Sequence, residues 1–446
     1  MSFLCYNQCP GICTHSKRTP MEIASPKQPS TESKRDWYPY YAGFTEEFAK
    51  SALTEYFKSA RKILDPWNGS GTTTVAAAKL GIASVGRDVN PAMEIIALAR
   101  LTPLSVKGSL EPIAQELLIA ALSRQADVDC EDPLSTWFKG PAVSCLRQLQ
   151  LSIHDVLVDS QRQRTTKPEP ALLKGLPLLA CFYYVALFST VRDLLSPFRG
   201  SNPSWIRYPS GHRNRVNPSW EAISAAFLGR VEFFESKLQL TDEHRHAPTV
   251  VETGLASSLD LRRSYDGCLT SPPYATRIDY IRSSLPELAV MGYSRSEIDS
   301  LRRLTTGSPV LRARAGRSSE LLSKEGSKVI EIISNHPSHG SANYYAPWLS
   351  DYFQELEVSL RRTDCVVSAN GTIGILVQDS HYKSYPIDLQ TIVVENMKGL
   401  GRLLVERKDF SVSHSMAKMN PFARENVPRR TNTESLLIFR SRNFSS

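Results

Sequence analysis

The chain has 446 residues, 41% of them hydrophobic, enough for two or three domains and a sizeable core of ordinary globular composition. Eight cysteines over that length exclude a disulfide scaffold, and a net charge of +8 fits a polyanionic partner without requiring one. The most apolar run, residues 176–191, is interrupted by Pro177 and is shorter than the ~20 residues of a spanning helix, so a buried helix is expected there and a cytoplasmic protein overall.

Residues 1–36 are polar and rich in Ser, Pro and Lys, and are expected to form a disordered leader. Cys5, Cys9 and Cys13 recur at four-residue spacing, but no fourth ligand stands nearby and no metal is assigned. Order is expected from Trp37-Tyr38-Pro39-Tyr40-Tyr41 onward. Thr45 reads as an N-cap with Glu46 and Glu47 in the first turn, and Phe48, Ala52, Leu53, Phe57 and Ala60 mark the buried face of the helix.

A strand over residues 62–64 runs into Asp65-Pro66-Trp67-Asn68-Gly69-Ser70-Gly71-Thr72-Thr73-Thr74, and a helix over residues 75–80 closes at Gly81. A second strand, residues 83–86, leads through Arg87-Asp88-Val89-Asn90-Pro91 into a helix ending near Arg100. This is a βαβ unit whose glycines fall at the first strand-to-helix turn, where a backbone can approach a ligand closely. Asp88 ends the second strand 23 residues after Asp65, placed to take the two hydroxyls of a ribose. A P-loop would need Lys where Thr72 stands, and a dinucleotide turn would need a third glycine where Thr74 stands. S-adenosylmethionine needs no pyrophosphate cradle, only the glycine turn, the acid and an apolar or aromatic wall, and fits best.

Residues 101–248 read as a mainly helical insertion, a candidate target-recognition region carrying Arg192, Arg199, Arg207, Arg213 and Arg215 around Ser201-Asn202-Pro203-Ser204-Trp205. Arginines interleaved with Trp205, Tyr208 and His212 suit phosphate and base contacts as well as they suit a solvated loop. A second basic stretch from Arg302 to Lys328 is expected as a flexible loop over a polyanionic partner.

Between them, the strand Tyr265-Asp266-Gly267-Cys268-Leu269 stops at Thr270-Ser271-Pro272-Pro273-Tyr274. Two prolines cannot continue a ladder, but they hold a rigid corner that offers the Ser271 hydroxyl, a Pro carbonyl and the exposed ring of Tyr274. A planar base with an exocyclic amino group wants two acceptors for its N–H bonds and a ring to stack on. Tyr280 and Arg277, just downstream, either wall the pocket, contact phosphate or pack. After a helix around residues 348–360 and a strand over 371–377, Pro386 is expected to open a helix over 387–400. Strands over 402–406 and 435–439 complete an α/β, doubly wound, mostly parallel sheet, and the family resemblance drawn below implies that these two form its antiparallel edge.

The 65–73 segment resembles the cofactor motif of the amino-group DNA methyltransferases, and Thr270-Ser271-Pro272-Pro273-Tyr274 resembles their catalytic motif. The region from Tyr40 to Phe48 looks like the segment that precedes the cofactor motif and adds Phe44 to the cofactor wall. The likeness covers most of residues 37–100 and 250–285 and, more loosely, 340–440. Trp67 replaces the usual Phe, Asn68 stands where a small residue is common, and the cofactor motif comes first, the reverse of many N4-cytosine enzymes. The resemblance implies a Rossmann-like methyltransferase domain over 37–100 and 249–446, with S-adenosyl-L-methionine held by Phe44, Asp65, Trp67, Gly69, Gly71, Thr72 and Asp88. It implies a base flipped out of double-stranded DNA onto Ser271, Pro272, Pro273 and Tyr274, with Tyr280, Arg277, Arg199, Arg207 and Arg213 around it. Serine before Pro-Pro-Tyr accompanies N4 of cytosine in such families, with N6 of adenine as the alternative; an RNA or protein-amide methyltransferase and an inactive DNA-binding homologue remain open. A cognate restriction nuclease is the further partner that such a family can imply.

Overall fold

The computed structural model describes residues 22–27, 37–38, 43–129, 131–158, 169–200, 205–238, 247–309, 323–412 and 432–442. Cys5, Cys9, Cys13, Tyr40, Tyr41, Ser201, Asn202, Pro203 and Ser204, together with Arg312, Arg314 and Arg317, lie outside them.

Nine strands are described: β1 (Lys62–Asp65), β2 (Ala83–Asp88), β3 (Thr249–Thr253), β4 (Tyr265–Thr270), β5 (Val367–Gln378), β6 (Ser380–Tyr382), β7 (Tyr385–Ile387), β8 (Arg402–Val412) and β9 (Asn432–Ser441). Seven of them form one sheet in the order β3-β2-β1-β4-β5-β9-β8, and β6 and β7 pair in a separate hairpin. The first five are parallel, while β9 runs antiparallel to β5 and β8 antiparallel to β9. The doubly wound sheet with an antiparallel edge is thus as the sequence and the resemblance imply.

Residues one apart on a strand serve opposite layers, which is why these strands are apolar on both faces. Ile63, Leu269, Leu436 and Ile438 pack on one side with α1 (Glu46–Tyr56) and α2 (Thr72–Lys79). Leu64, Cys268, Leu437 and Phe439 pack on the other, against helices of the C-terminal half. The N-terminal side of the chain adds α3 (Pro91–Ala99), whose first turn is capped by Asn90 and opened by Pro91.

The expected insertion is helical: α4 (Leu110–Leu122), α5 (Gly140–Leu157), α6 (Leu178–Leu194) and α7 (Trp220–Lys237) lie between α3 and β3. Its core is continuous with the sheet-bearing half, because Met93, Ile95 and Ile96 of α3 pack in the same cluster as Phe182, Leu187 and Phe227. The short α8 (Leu285–Val290) adds Leu288 to that cluster. The apolar run expected as a buried helix is α6, with every residue from Ala180 to Arg192 buried. Among the described residues no helix is long and apolar enough to cross a membrane. The remaining helices are α9 (Arg295–Leu304), α10 (Lys324–Ser334), α11 (Ala346–Val366) and α12 (Leu389–Gly399).

Two expectations need correction. Residues 22–27 of the expected leader are docked: Ile23 is buried in the cluster with Phe48 and Leu53, Ala24 N donates to Ser51 Oγ, and Thr45 N donates to the Pro26 carbonyl. One large apolar side chain and a few hydrogen bonds are enough to hold a short segment that composition assigns to disorder. Pro386 does not open a helix. It sits in the β6–β7 hairpin opposite His381, and α12 starts three residues later under the cap of Asp388, whose carboxylate accepts from Thr391 N. An N-cap carboxylate satisfies a helical N–H, which a proline at N1 merely avoids needing.

Candidate active site

The strand order reverses between β1 and β4, and in such sheets ligands gather at the carboxyl ends of the strands beside that point. Both singled-out motifs end there. A cleft opens between them, walled by Phe44, Trp67, Met93, Leu255, Tyr280 and Ile281 and floored by Asp65, Gly69, Thr72, Asp88 and the Ser271–Tyr274 corner.

The first half of the cleft is built from nearly consecutive residues. After β1 the chain turns through Gly69 (φ 49°) and Gly71 (φ 85°) into α2. Gly71 has a second reason to lack a side chain, since a Cβ there would come within 2.5 Å of Ala97 Cβ on α3. Asp88, at the end of β2, accepts from Gly69 N at 2.9 Å and from Asn90 N at 2.8 Å, one bond to each oxygen. Each oxygen keeps a second lone pair for a ligand hydroxyl. Burial pushes the Asp88 carboxyl up to about 6 against the two amide bonds that pull it down.

Asn68, unexpected at its position in the motif, is accommodated by Gly86 on β2: a Cβ on Gly86 would lie 2.4 Å from Asn68 Cγ. The Asn68 side chain accepts from Thr74 Oγ1 at 3.2 Å beneath the turn. Arg100 closes the turn from the far end of α3, donating to the Ser70 carbonyl at 2.8 Å and to Thr72 Oγ1 at 3.2 Å. Nothing in the spacing of the motif marks Arg100 as its brace.

Asp65 joins the two halves. It accepts from Trp67 N at 3.2 Å and from the hydroxyl of Thr270, the last residue of β4, at 2.6 Å. Burial raises its carboxyl to about 6, opposed by those bonds and reinforced by the charge of Asp88. The role of Thr270 was legible only as the residue before Ser271.

The second half is held from a distance. Tyr352 of α11 donates its hydroxyl to the Pro273 carbonyl at 2.7 Å, and Ser380 Oγ donates to the Ala275 carbonyl at 2.5 Å. Tyr274 is only part-exposed, not the free ring expected: its hydroxyl accepts from Ser271 Oγ at 3.3 Å and donates to Glu434 at 3.1 Å. Glu434 lies on β9, far from either motif in sequence, and no local pattern announces it.

Of the residues expected around the base, Tyr280 lines the cleft. Arg277 is engaged inside the protein. It stands at φ 54°, lies over the rings of Tyr344 and Tyr345 at 4.8 and 4.7 Å, and donates to both of their hydroxyls. Packing, not phosphate contact, is therefore what the structure records for it. The two tyrosines come from a single π-helical turn, Ser341–Tyr345, that precedes α11. Arg192 is likewise withdrawn from the surface, paired in the core with Glu287 and Tyr38. A buried guanidinium with a carboxylate partner cannot serve as a counter-ion for DNA. Arg199, Arg207 and Arg213 do not reach the cleft. They lie on the insertion, where Arg199 pairs with Asp193 and Arg207 donates to the Arg199 carbonyl. Trp205 lies under the Arg282 guanidinium and Tyr208 stacks on Trp137. Among the described residues no cluster of three or more His, Cys, Asp or Glu is placed to hold a metal.

Comparison with known proteins bears on this arrangement. No family model matches the chain. A type II methyltransferase, M.BsoBI of Geobacillus stearothermophilus, is 35% identical over 301 residues, 63% of this chain and 57% of its own length. The chain is similar to this type II methyltransferase over part of its length. A second relative, the type II methyltransferase M.MjaII of Methanocaldococcus jannaschii, is 32% identical over 81 residues, 18% of this chain and 15% of its own. The chain thus spans little more than half the length of the first relative and a small part of the second. A solved rRNA methyltransferase, aviRa of Streptomyces viridochromogenes, aligns with 94% of this chain and 96% of its own at 11% identity, but at a TM-score of 0.30 the superposition carries no argument.

Proposed function

We propose that the protein is a DNA methyltransferase that transfers a methyl group from S-adenosyl-L-methionine to an exocyclic amino group, N4 of cytosine in the first instance. The observation that carries this reading is convergence: the glycine turn with Asp88 and the Ser-Pro-Pro-Tyr corner line one cleft although about two hundred residues separate them. The homology to type II methyltransferases supports it.

The residues present fit the methyl donor. Gly69, at φ 49°, brings bare backbone to the cleft, Gly71 lets the turn pack closely against Ala97 of α3 behind it, Asp88 keeps acceptor capacity for ribose hydroxyls, and Phe44, Trp67 and Met93 offer an apolar wall for the adenine ring. Bound there, the donor would supply its methyl group from a sulfonium.

The amino nitrogen of cytosine or adenine is a poor nucleophile, since its lone pair is conjugated with the ring. Hydrogen bonds from its N–H groups to Ser271 Oγ and the Pro272 carbonyl localise that pair, and the ring of Tyr274 is the platform for the flipped base. Tyr352, by holding the Pro273 carbonyl, keeps the corner rigid while the base enters. Positioning of this kind requires no strong base at the attacking atom. Arg199, Arg207 and Arg213 of the insertion are the surface we assign to the DNA backbone.

Mass spectrometry of nucleosides from duplex DNA treated with the protein and S-adenosyl-L-methionine tests the reading. N4-methylcytosine is expected. N6-methyladenine would move the target atom and leave the cofactor and corner roles standing, and methylation of RNA alone would overturn the DNA assignment.

A further inference from the structure

Glu434 has no place in the arrangement just described, yet it is the end of a hydrogen-bond chain that starts at the proposed acceptor for the base. Ser271 Oγ donates to Tyr274 Oη at 3.3 Å, and Tyr274 Oη donates to Glu434 Oε1 at 3.1 Å. Both donors point the same way, from the cleft into the protein. Glu434 is 0% exposed, and its other oxygen, Oε2, is buried without a hydrogen-bond partner among the described residues. Leaving a carboxylate oxygen unsatisfied in a core is costly, and nothing in the packing of β9 calls for an acid: Leu436, Leu437, Ile438 and Phe439 fill the same strand with apolar contacts. Lys27 Nζ, on the docked N-terminal segment and 30% exposed, approaches Oε1 at 3.4 Å and links the carboxylate to solvent.

An amino nitrogen that has taken up a methyl group carries one proton and one positive charge too many. We infer that Ser271, Tyr274 and Glu434 form a relay that removes this proton, with Glu434 as its terminal acceptor. This rests on the proposed amino-group methylation. In the step, the N–H bond breaks and its pair stays on nitrogen, neutralising it. The proton joins Ser271 Oγ as the Ser271 proton passes to Tyr274 Oη and the Tyr274 proton passes to Glu434. The carboxylate becomes a carboxylic acid, the two hydroxyls are each left with one proton, and the acid returns its proton to water on the Lys27 side. Burial and the adjacent Glu434 charge hold the Tyr274 hydroxyl well above the ordinary phenol range, so it stays protonated between turnovers, as a relay hydroxyl must. The two bonds are longer than the usual hydroxyl bonds of about 2.7–2.8 Å, as such chains are before a substrate closes on them.

The test measures the single-turnover rate and its solvent deuterium isotope effect in the whole protein, alongside calorimetric affinities for S-adenosyl-L-methionine and for duplex DNA. Glu434→Gln is expected to slow turnover by about 100-fold or more and to change the isotope effect, with both affinities within about twofold of the parent. Glu434→Asp should recover part of the rate. Tyr274→Phe cuts the relay without touching β9, and the double variant should be no slower than the slower single one, since residues that act as a unit are not additive. A parent that methylates an amino group while Glu434→Gln keeps its full rate overturns the relay alone. Additive losses in the double variant do the same. A parent that binds the cofactor and methylates no nucleoside overturns the proposed function and the relay with it. A Glu434→Gln chain that does not fold leaves the decision to Tyr274→Phe: an unchanged isotope effect there overturns the relay.

Discussion

The two halves of the cleft are built by opposite means. The glycine turn is made by residues within one βαβ unit: Asp65, Gly69, Gly71 and Asp88 are linked by bonds that span at most a few tens of positions, such as Gly69 N to Asp88. The Pro-Pro corner has only two residues of its own to hold it, and its bonds come from Tyr352, Ser380 and Glu434, 79 to 160 positions away. A site assembled locally is sensitive to the shape of a single residue. A site assembled at long range is sensitive to the elements that carry its braces, here α11 and β9.

That contrast makes the largest expected effect a local one. Gly71→Ala forces a side chain into φ 85° and onto Ala97 Cβ, which together should cost about 2–4 kcal/mol of stability and the cofactor affinity with it. Denaturant unfolding and calorimetry with S-adenosyl-L-methionine measure the two losses. A stable Gly71→Ala protein with full affinity would break the picture of a turn fixed by its own geometry.

Asp65, the bond between the halves, sharpens the comparison through pH. Asp65 and Asp88 titrate near 6 in the folded chain against about 4 when exposed, so between those values the folded state binds more protons than the unfolded one. Stability should therefore fall as pH rises through that window and stay lowered above it. Asp65→Asn removes its share, up to about 3 kcal/mol, and should flatten the decline. Unfolding curves at pH 4.5 and 7.5 read the difference, and an unchanged slope would mean that neither the burial nor the Thr270 bond sets the titration of Asp65.

Tyr352→Phe probes the long-range half. It leaves the Pro273 carbonyl without its donor and should cost about 1–2 kcal/mol, expressed as a lower kcat with an unchanged cofactor Kd. Equal losses in kcat and cofactor affinity would show the two halves to be one mechanical unit.

The smallest effect concerns neither half. Replacing Arg199, Arg207 and Arg213 together by Gln should lower the slope of log K for DNA against log salt by up to about 3, near one for each phosphate no longer neutralised. Titrations at several salt concentrations give the slope, and an unaltered one would place the DNA surface elsewhere.

The amino-acid sequence alone determined the βαβ unit, the buried helix α6 and the candidate residues Gly71, Asp88 and Ser271, because each depends on side-chain periodicity or on turn chemistry within a few positions. It placed Pro386 and residues 22–27 wrongly because a cap at Asp388 and a single docked Ile23 outweigh the average tendency of their neighbours. Tertiary structure alone decided which arginines face solvent. Arg192 and Arg277 read like Arg199 in a basic sequence, but Glu287 and the two tyrosines that claim them stand about 95 and 68 positions away. The same holds for Glu434. Nothing within its own strand sets it apart, and only the pairing of β9 with β5, set by the burial of both faces of the sheet, brings its carboxylate to Tyr274.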